Sequence, residues 1–231
     1  MLSLMIIAGV LMLCGMAFCT DNTLLHVTME NVESGPCSNA MLSEMWPGLQ
    51  WATLYDRAEI VSDPDLPRGK ALRVTYPKGG YLPQGGGALF VVSIPPAEEY
   101  TLSYAIKFEE GFDFEPTGKL PGLSSKGATY TGGIIPVDGD GWSARYMFKQ
   151  GAKAIVYFYW HGMPGPWGDH LWFDNFRFIP GRWHWLKQRI RVNTPGKEDA
   201  VLEVWADDRL VYAKRDFQLR LGEKGLIDTF C

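Results

Sequence analysis

The sequence predicts an all-β protein, an antiparallel β-sandwich of jelly-roll type. At least eight short segments alternate apolar and polar residues with the period of two that a half-buried strand requires. Glycine- and proline-rich punctuation separates them, as at Gly79–Gly80, Gly85–Gly87, Gly132–Gly133 and Gly162–Gly168. No long helical pattern, internal repeat or low-complexity tract interrupts the series, which leaves a sandwich as the architecture.

Taken in order, Asn22–Ser62 is mixed, with Met41–Trp46 expected as a short helical turn ended by Pro47. From Ala71 the reading is β: Leu72, Val74 and Tyr76 alternate with Arg73 and Thr75. Ala88–Ile94 is a second strand, expected to stop at Pro95-Pro96 because proline cannot donate to a ladder. Tyr100–Phe108 is a third, with Tyr100, Leu102, Tyr104, Ile106 and Phe108 on one face. Further strands are expected near Leu171–Ile179, at Trp183–Asn193 with Gln188, Ile190 and Val192 on one side, and at Val201–Trp205 and Leu210–Ala213. Asp207-Asp208 occupies the hairpin position between the last two. Gly225–Cys231 reads as a strand beginning where the sequence stops, so the sandwich is expected to lack its C-terminal strands.

The chain has 231 residues, of which 46% are hydrophobic and 13% aromatic, enough for one packed core. Met1–Thr20 carries no charged side chain and has an apolar run through Leu2–Leu13. We read residues 1–19 as a secretory signal peptide, with Ala17-Phe18-Cys19 near the cleavage site and a membrane anchor as the alternative. Residues 20–231 then form a single secreted, extracellular domain, expected to be monomeric and without stable membrane association. Cys37 and Cys231 remain in that domain, and they either pair or stand apart. Histidines 26, 161, 170 and 184 are scattered without zinc spacing, so neither metal nor other cofactor is expected. A net charge of −4 argues against nucleic acid as the partner.

Against that acidic background, Gly118–His161 carries Lys119, Lys126, Arg145, Lys149 and Lys153 but only Asp138 and Asp140. A basic island in an acidic chain points to an anion site. Strand alternation refines it. Within Gly141–Lys149, residues Trp142, Ala144, Tyr146 and Phe148 share an apolar face, opposite Ser143, Arg145, Met147 and Lys149. Within Ala154–Trp160, residues Ile155, Tyr157 and Tyr159 oppose Val156, Phe158 and Trp160. If the two strands pair, Ser143, Arg145, Tyr157 and Tyr159 converge on one sheet surface, with Lys119 on a proline-flanked loop above it. The bland alternative is a solvated sandwich face.

K-L-P-G-L at Lys119–Leu123, G-W-S-A-R at Gly141–Arg145, Y-F-Y at Tyr157–Tyr159 and P-G-R-W-H at Pro180–His184 occur in that order. Together they resemble polysaccharide lyase family 14, which includes alginate lyases of herbivorous marine molluscs and a viral glucuronate lyase. The resemblance runs from about Lys70 to the end. It implies a polyuronate substrate, most of all mannuronate-rich alginate, cleaved by β-elimination to 4,5-unsaturated uronate ends, with glucuronan as the alternative. It also implies Lys119, Arg145, Tyr157 and Tyr159 as catalytic residues, with Ser143, Lys119 and Arg145 binding substrate. Cations on the uronate carboxylate stabilise the enolate-like transition state, a base removes the C5 proton, and an acid protonates the departing O4. Tyr159 is favoured for proton transfer, with Tyr157 and Ser143 positioning substrate and Lys119 the other candidate. The loop Ser124–Asp140 departs from the family's usual glycine-rich form, which bears on subsite preference.

Two rival functions remain on the residues. A glycoside hydrolase needs two carboxyl groups across the scissile bond, and Trp142–Lys149 and Ala154–Trp160 contain neither Asp nor Glu. A non-catalytic carbohydrate-binding protein would use Trp142, Trp160, Trp167 or Trp172 to stack on sugars, although core packing is the commoner use of such residues.

Overall fold

The computed structural model describes residues 2–6, 10–12, 23–66, 69–80, 85–115 and 117–231. The suggested cleavage site at Ala17–Cys19 lies outside them. The strands are β1 (Leu2–Ile6), β2 (Val10–Met12), β3 (Thr23–His26), β4 (Gly35–Pro36), β5 (Leu49–Thr53), β6 (Ala58–Ser62), β7 (Lys70–Tyr76), β8 (Leu89–Ala97) and β9 (Glu99–Phe108). They continue as β10 (Gly118–Ser124), β11 (Ser143–Lys149), β12 (Lys153–Tyr159), β13 (Asp169–Arg177), β14 (Trp183–Arg191), β15 (Val201–Ala206), β16 (Arg209–Arg215) and β17 (Ile227–Phe230). The helix α1 (Asn39–Met45) begins at Ser38, whose hydroxyl accepts from the Met41 amide, and buries Leu42.

Two antiparallel sheets result. One runs β16-β15-β14-β9-β1-β7-β6-β4, with β2 bridging β3 and β9; the other runs β13-β12-β11-β10-β17-β8-β5. The core between them takes the faces that alternation assigns inward. Tyr100, Leu102, Tyr104, Ile106 and Phe108 of β9 meet Ala144, Tyr146 and Phe148 of β11 and Ala154, Val156 and Phe158 of β12. Phe108, Phe112, Phe114 and Phe148 pack edge-on or tilted with centroids 4.8–5.8 Å apart, avoiding the face-to-face stacking that the ring quadrupoles disfavour. A second cluster, around Met29, Leu42, Ile60 and Val92, lies under α1.

Polar side chains also cross this core: the Tyr104 hydroxyl of β9 donates to the Pro121 carbonyl of β10 at 3.2 Å, and Gln188 makes a double contact. Gln188 of β14 is fully buried; its amide donates to the Ala144 carbonyl at 2.9 Å and accepts from the Leu123 amide at 3.1 Å. It thereby ties the first sheet to β10 and β11 of the second. Alternation correctly places Gln188 inward beside Ile190, and the bridge explains why a polar residue is tolerated there.

Two expectations change, and one open alternative is narrowed. β8 continues through Pro95 and Pro96 because its ladder with β17 is irregular there, with a register shift between Ile227 and Thr229, so the missing amides interrupt no regular pairing. Lys119 lies on strand β10 rather than on a loop; a bulge between Lys119 and Gly122 accommodates Pro121. Gly122 follows from the same approach, since a Cβ there would stand 2.3 Å from the Ala144 oxygen. Cys37 and Cys231 are both buried free thiols. The Asp207-Asp208 turn forms as expected, with φ of 49° and 63° at its two centres, the left-handed conformation a two-residue hairpin requires.

The Pro180–His184 motif is a structural clamp. His184 is buried; its Nε2 accepts from the Ile179 amide at 2.8 Å, so the proton sits on Nδ1, 2.8 Å from Asp207. Replacing Gln188 by leucine strands the Leu123 amide and the Ala144 carbonyl in the core. We expect a loss of about 2 kcal/mol or more, read as a lower denaturant midpoint at unchanged slope.

Candidate active site

The site is built on the face of the second sheet turned away from the core. β11 and β12 pair with Ser143 opposite Tyr159, Arg145 opposite Tyr157, Met147 opposite Ile155 and Lys149 opposite Lys153. On either side, Lys119 of β10 stands opposite Met147, and His170 and Trp172 of β13 stand opposite Tyr157 and Ile155. The expected convergence of Ser143, Arg145, Tyr157 and Tyr159 is therefore present, with Lys119 beside them on the neighbouring strand.

The loop joining β10 to β11 folds back over one end of this face. Its feet are fixed by the Lys126–Asp140 ion pair, by the Tyr130 hydroxyl donating to Asp140, and by the Lys126 amide donating to Asp228 at 3.0 Å. Trp142 and Ser125 close the base, the Trp142 amide donating to the Ser125 hydroxyl at 2.8 Å. Three contacts reach down from the loop to the floor. Ser143 donates to the Tyr130 carbonyl, Lys119 Nζ donates to the Thr131 hydroxyl at 2.7 Å, and the Gly133 amide donates to the Tyr159 hydroxyl at 3.1 Å.

These contacts distinguish the residues singled out from the sequence. Ser143 is buried, and its hydroxyl is occupied by the loop backbone. Tyr159 is also buried, with its hydroxyl 3.2 Å from that of Tyr157 and the two rings perpendicular at 5.2 Å. Tyr157, Lys119 and Arg145 are partly exposed. The Arg145 Nε is buried without a hydrogen-bond partner. Among the described residues, no carboxylate stands within ion-pair distance of Lys119, Arg145, Lys149 or Lys153. Lys126 is different, because Asp140 cancels it within the loop.

The electrostatics follow from burial and proximity. Burial and then the Arg145 charge lower the Lys119 pKa to about 8, while Cys231 acts in the opposite direction. Burial and then the hydrogen bond to Tyr159 push the Tyr157 phenol up to about 12. Lys119 Nζ lies 5.7 Å from the centre of the Tyr157 ring. The face thus offers an amine that can be neutral in mildly alkaline water, a phenol that stays protonated, and a fixed cation between two strands. Among the described residues, no group of three or more His, Cys, Asp or Glu is placed to hold a metal ion.

The four candidate tryptophans divide. Trp142 is core, with its indole donating to the Gly225 carbonyl at 2.9 Å, and Trp160 packs against the core with its indole on Asp169 at 2.7 Å. Trp167 and Trp172 are exposed. Sequence reading missed His170, because the strand was begun at Leu171; starting two residues earlier, the alternation in Asp169–Phe173 puts His170 and Trp172 on one face. Thr131 and Gly133 had no such signal, since they act from an aperiodic loop.

Because the Arg145 charge helps depress Lys119, Arg145→Met should move the Lys119 titration midpoint upward from about 8. An NMR titration of selectively labelled lysine methylene carbons checks this; an unmoved midpoint would leave burial as the whole cause.

No curated protein sequence matches the chain. Among solved structures, alginate lyase Aly36B superposes with a TM-score of 0.75 at 20% identity, over 89% of this chain and 84% of that one. The alginate lyase from Aplysia kurodai gives 0.70 at 22% identity over 84% and 83%, and vAL-1 from Chlorella virus gives 0.66 at 18% over 86% and 88%. At these identities the likeness is one of fold, and it supports the jelly-roll sandwich. The family model for polysaccharide lyase 14 matches residues 65–231, most of the chain and the whole of the face just described. The chain belongs to polysaccharide lyase family 14.

Proposed function

We propose that this polysaccharide lyase is secreted and cleaves mannuronate-rich alginate by β-elimination. The observation that carries the reading is the composition of one sheet face: Lys119, Arg145, Tyr157 and Tyr159 converge there, and among the described residues no carboxylate stands within ion-pair distance of the two cations. A hydrolase would need two carboxyl groups at this place. An elimination needs cations and proton carriers. The apolar, uncharged Met1–Thr20 supports secretion, and its cleavage would take β1 and β2 out of the first sheet.

Arg145 binds the uronate carboxylate, where a planar guanidinium gives two parallel hydrogen bonds and holds the charge that grows as C5 loses its proton. The opposed pKa shifts support a division of the proton carriers. Lys119, lowered to about 8, is the base at C5; Tyr157, raised to about 12, remains protonated and donates to O4. Tyr159 is the second member of the phenol pair, holding the Tyr157 hydroxyl in place from its buried position. In β-mannuronate the C5 hydrogen and O4 leave from the same side of the ring, which suits two carriers on one wall. This divides between Lys119 and Tyr157 the two steps that the sequence reading gave to Tyr159.

Incubation with mannuronate-rich, guluronate-rich and glucuronan polymers, followed by ultraviolet absorbance, tests the reaction. Absorbance should rise fastest with the first. New reducing ends without absorbance would make the protein a hydrolase, and retention of polymer with neither product would make it a binding module. Lys119→Met and Tyr157→Phe should each lower kcat by about a hundred- to ten-thousand-fold with a smaller change in KM. With Lys119 as base, kcat/KM falls as pH drops through about 8, because protonation removes its lone pair. A Lys119→Met enzyme with near-normal turnover would return the base to the tyrosines.

A further inference from the structure

A second cationic site stands at the far end of the same face. Lys149 and Lys153 are direct cross-strand partners, and like charges so placed weaken a sheet. They line a cavity of about 380 Å³ together with Gln150, Glu115, His170 and Trp172. The one carboxylate there, Glu115, is engaged by the Gln150 amide rather than by either lysine. Lys149 is partly buried, and Lys153 lies 5.6 Å over the half-exposed ring of Trp172.

A row of rings connects this cavity to the tyrosine pair. Centroid separations are 5.2 Å from Tyr159 to Tyr157, 5.5 Å from Tyr157 to His170, and 6.0 Å from His170 to Trp172. Lys149 is four residues beyond Arg145 on β11, about 13 Å along an extended strand, further than one sugar ring reaches. A polymer laid on the ring row with one carboxylate at Arg145 brings a later carboxylate to the lysine pair.

We propose that Lys149 and Lys153, with Trp172 as a stacking platform, form a remote subsite for a second uronate carboxylate of the same acidic polysaccharide chain. This rests on the polyuronate reading above. The repulsion between the two lysines is relieved when the anion sits between them, so the pair selects for length and charge of substrate and takes no part in elimination.

Binding tests the subsite independently of turnover. In affinity electrophoresis through polymannuronate, Lys149→Gln/Lys153→Gln and Trp172→Ala should each weaken retention about fivefold to tenfold, the scale of one charge-assisted contact. Lys153→Arg should retain it, and carboxyl-reduced polymer should retard wild type no more than the double variant. On short and long oligosaccharides, the double variant should raise KM only for the long ones and leave kcat unchanged. Unchanged retention, an equal KM rise at all lengths, or wild type retarded by the carboxyl-reduced polymer as strongly as by polymannuronate would overturn the subsite and leave the lysines as a solvated hairpin end. Failure of the broader reading shows separately, as wild type that is retarded but releases no absorbing product.

Discussion

The buried amide of Gln188 is the contact on which the site's geometry depends. β10 approaches β11 across a bulge, and a bulge leaves backbone groups outside the regular ladder. Gln188 satisfies one donor and one acceptor there from the opposite sheet, at Leu123 and Ala144. Those residues sit immediately beside Gly122 and Arg145. The first sheet therefore fixes the separation of the two strands that carry Lys119 and Arg145, and the part that Arg145 plays in lowering the Lys119 pKa is set from within the core.

The second constraint is register. Side chains on a strand alternate faces, so a slip of β12 by one residue against β11 would turn Tyr157 and Tyr159 inward and Val156 and Phe158 outward. The apolar partners that lock the register are the rings of the core: Tyr104 against Tyr146 at 5.9 Å, and Phe108 against Phe148 at 5.4 Å. Packing on one side of the sheet thus specifies chemistry on the other. The positive field outside has little local compensation, because the one acid–base pair nearby, Lys126 with Asp140, neutralises itself within the loop.

Most of the sheet architecture is legible in the sequence, since period-two alternation is a direct consequence of pleating. It placed Tyr100–Phe108, Ser143–Lys149 and Ile155–Tyr159 on their correct faces without reference to any partner. Where alternation fails, so does the reading. Lys119 looked like a loop residue because Pro121 and Gly122 interrupt the pattern, yet both are the means by which a bulged strand packs closely. Pro95 and Pro96 signalled a stop for the same reason. The occupation of the Ser143 hydroxyl by Tyr130, and of Tyr159 by Gly133, is invisible at the level of residues, because it depends on how an aperiodic loop folds back across the sheet.

That loop has a property of its own. Its feet are held by Ser125–Trp142, by Lys126–Asp140 and by the Lys126 amide on Asp228, while the stretch between them touches the floor mainly through backbone groups, the Tyr130 carbonyl and the Gly133 amide. Backbone contacts do not depend on side-chain identity. The tip can accordingly exchange Ile134, Ile135 or Val137 for other residues without disturbing the ionisation of the groups beneath it. The sequence of the tip and the ionisation of the floor are thereby uncoupled within one connection between neighbouring strands.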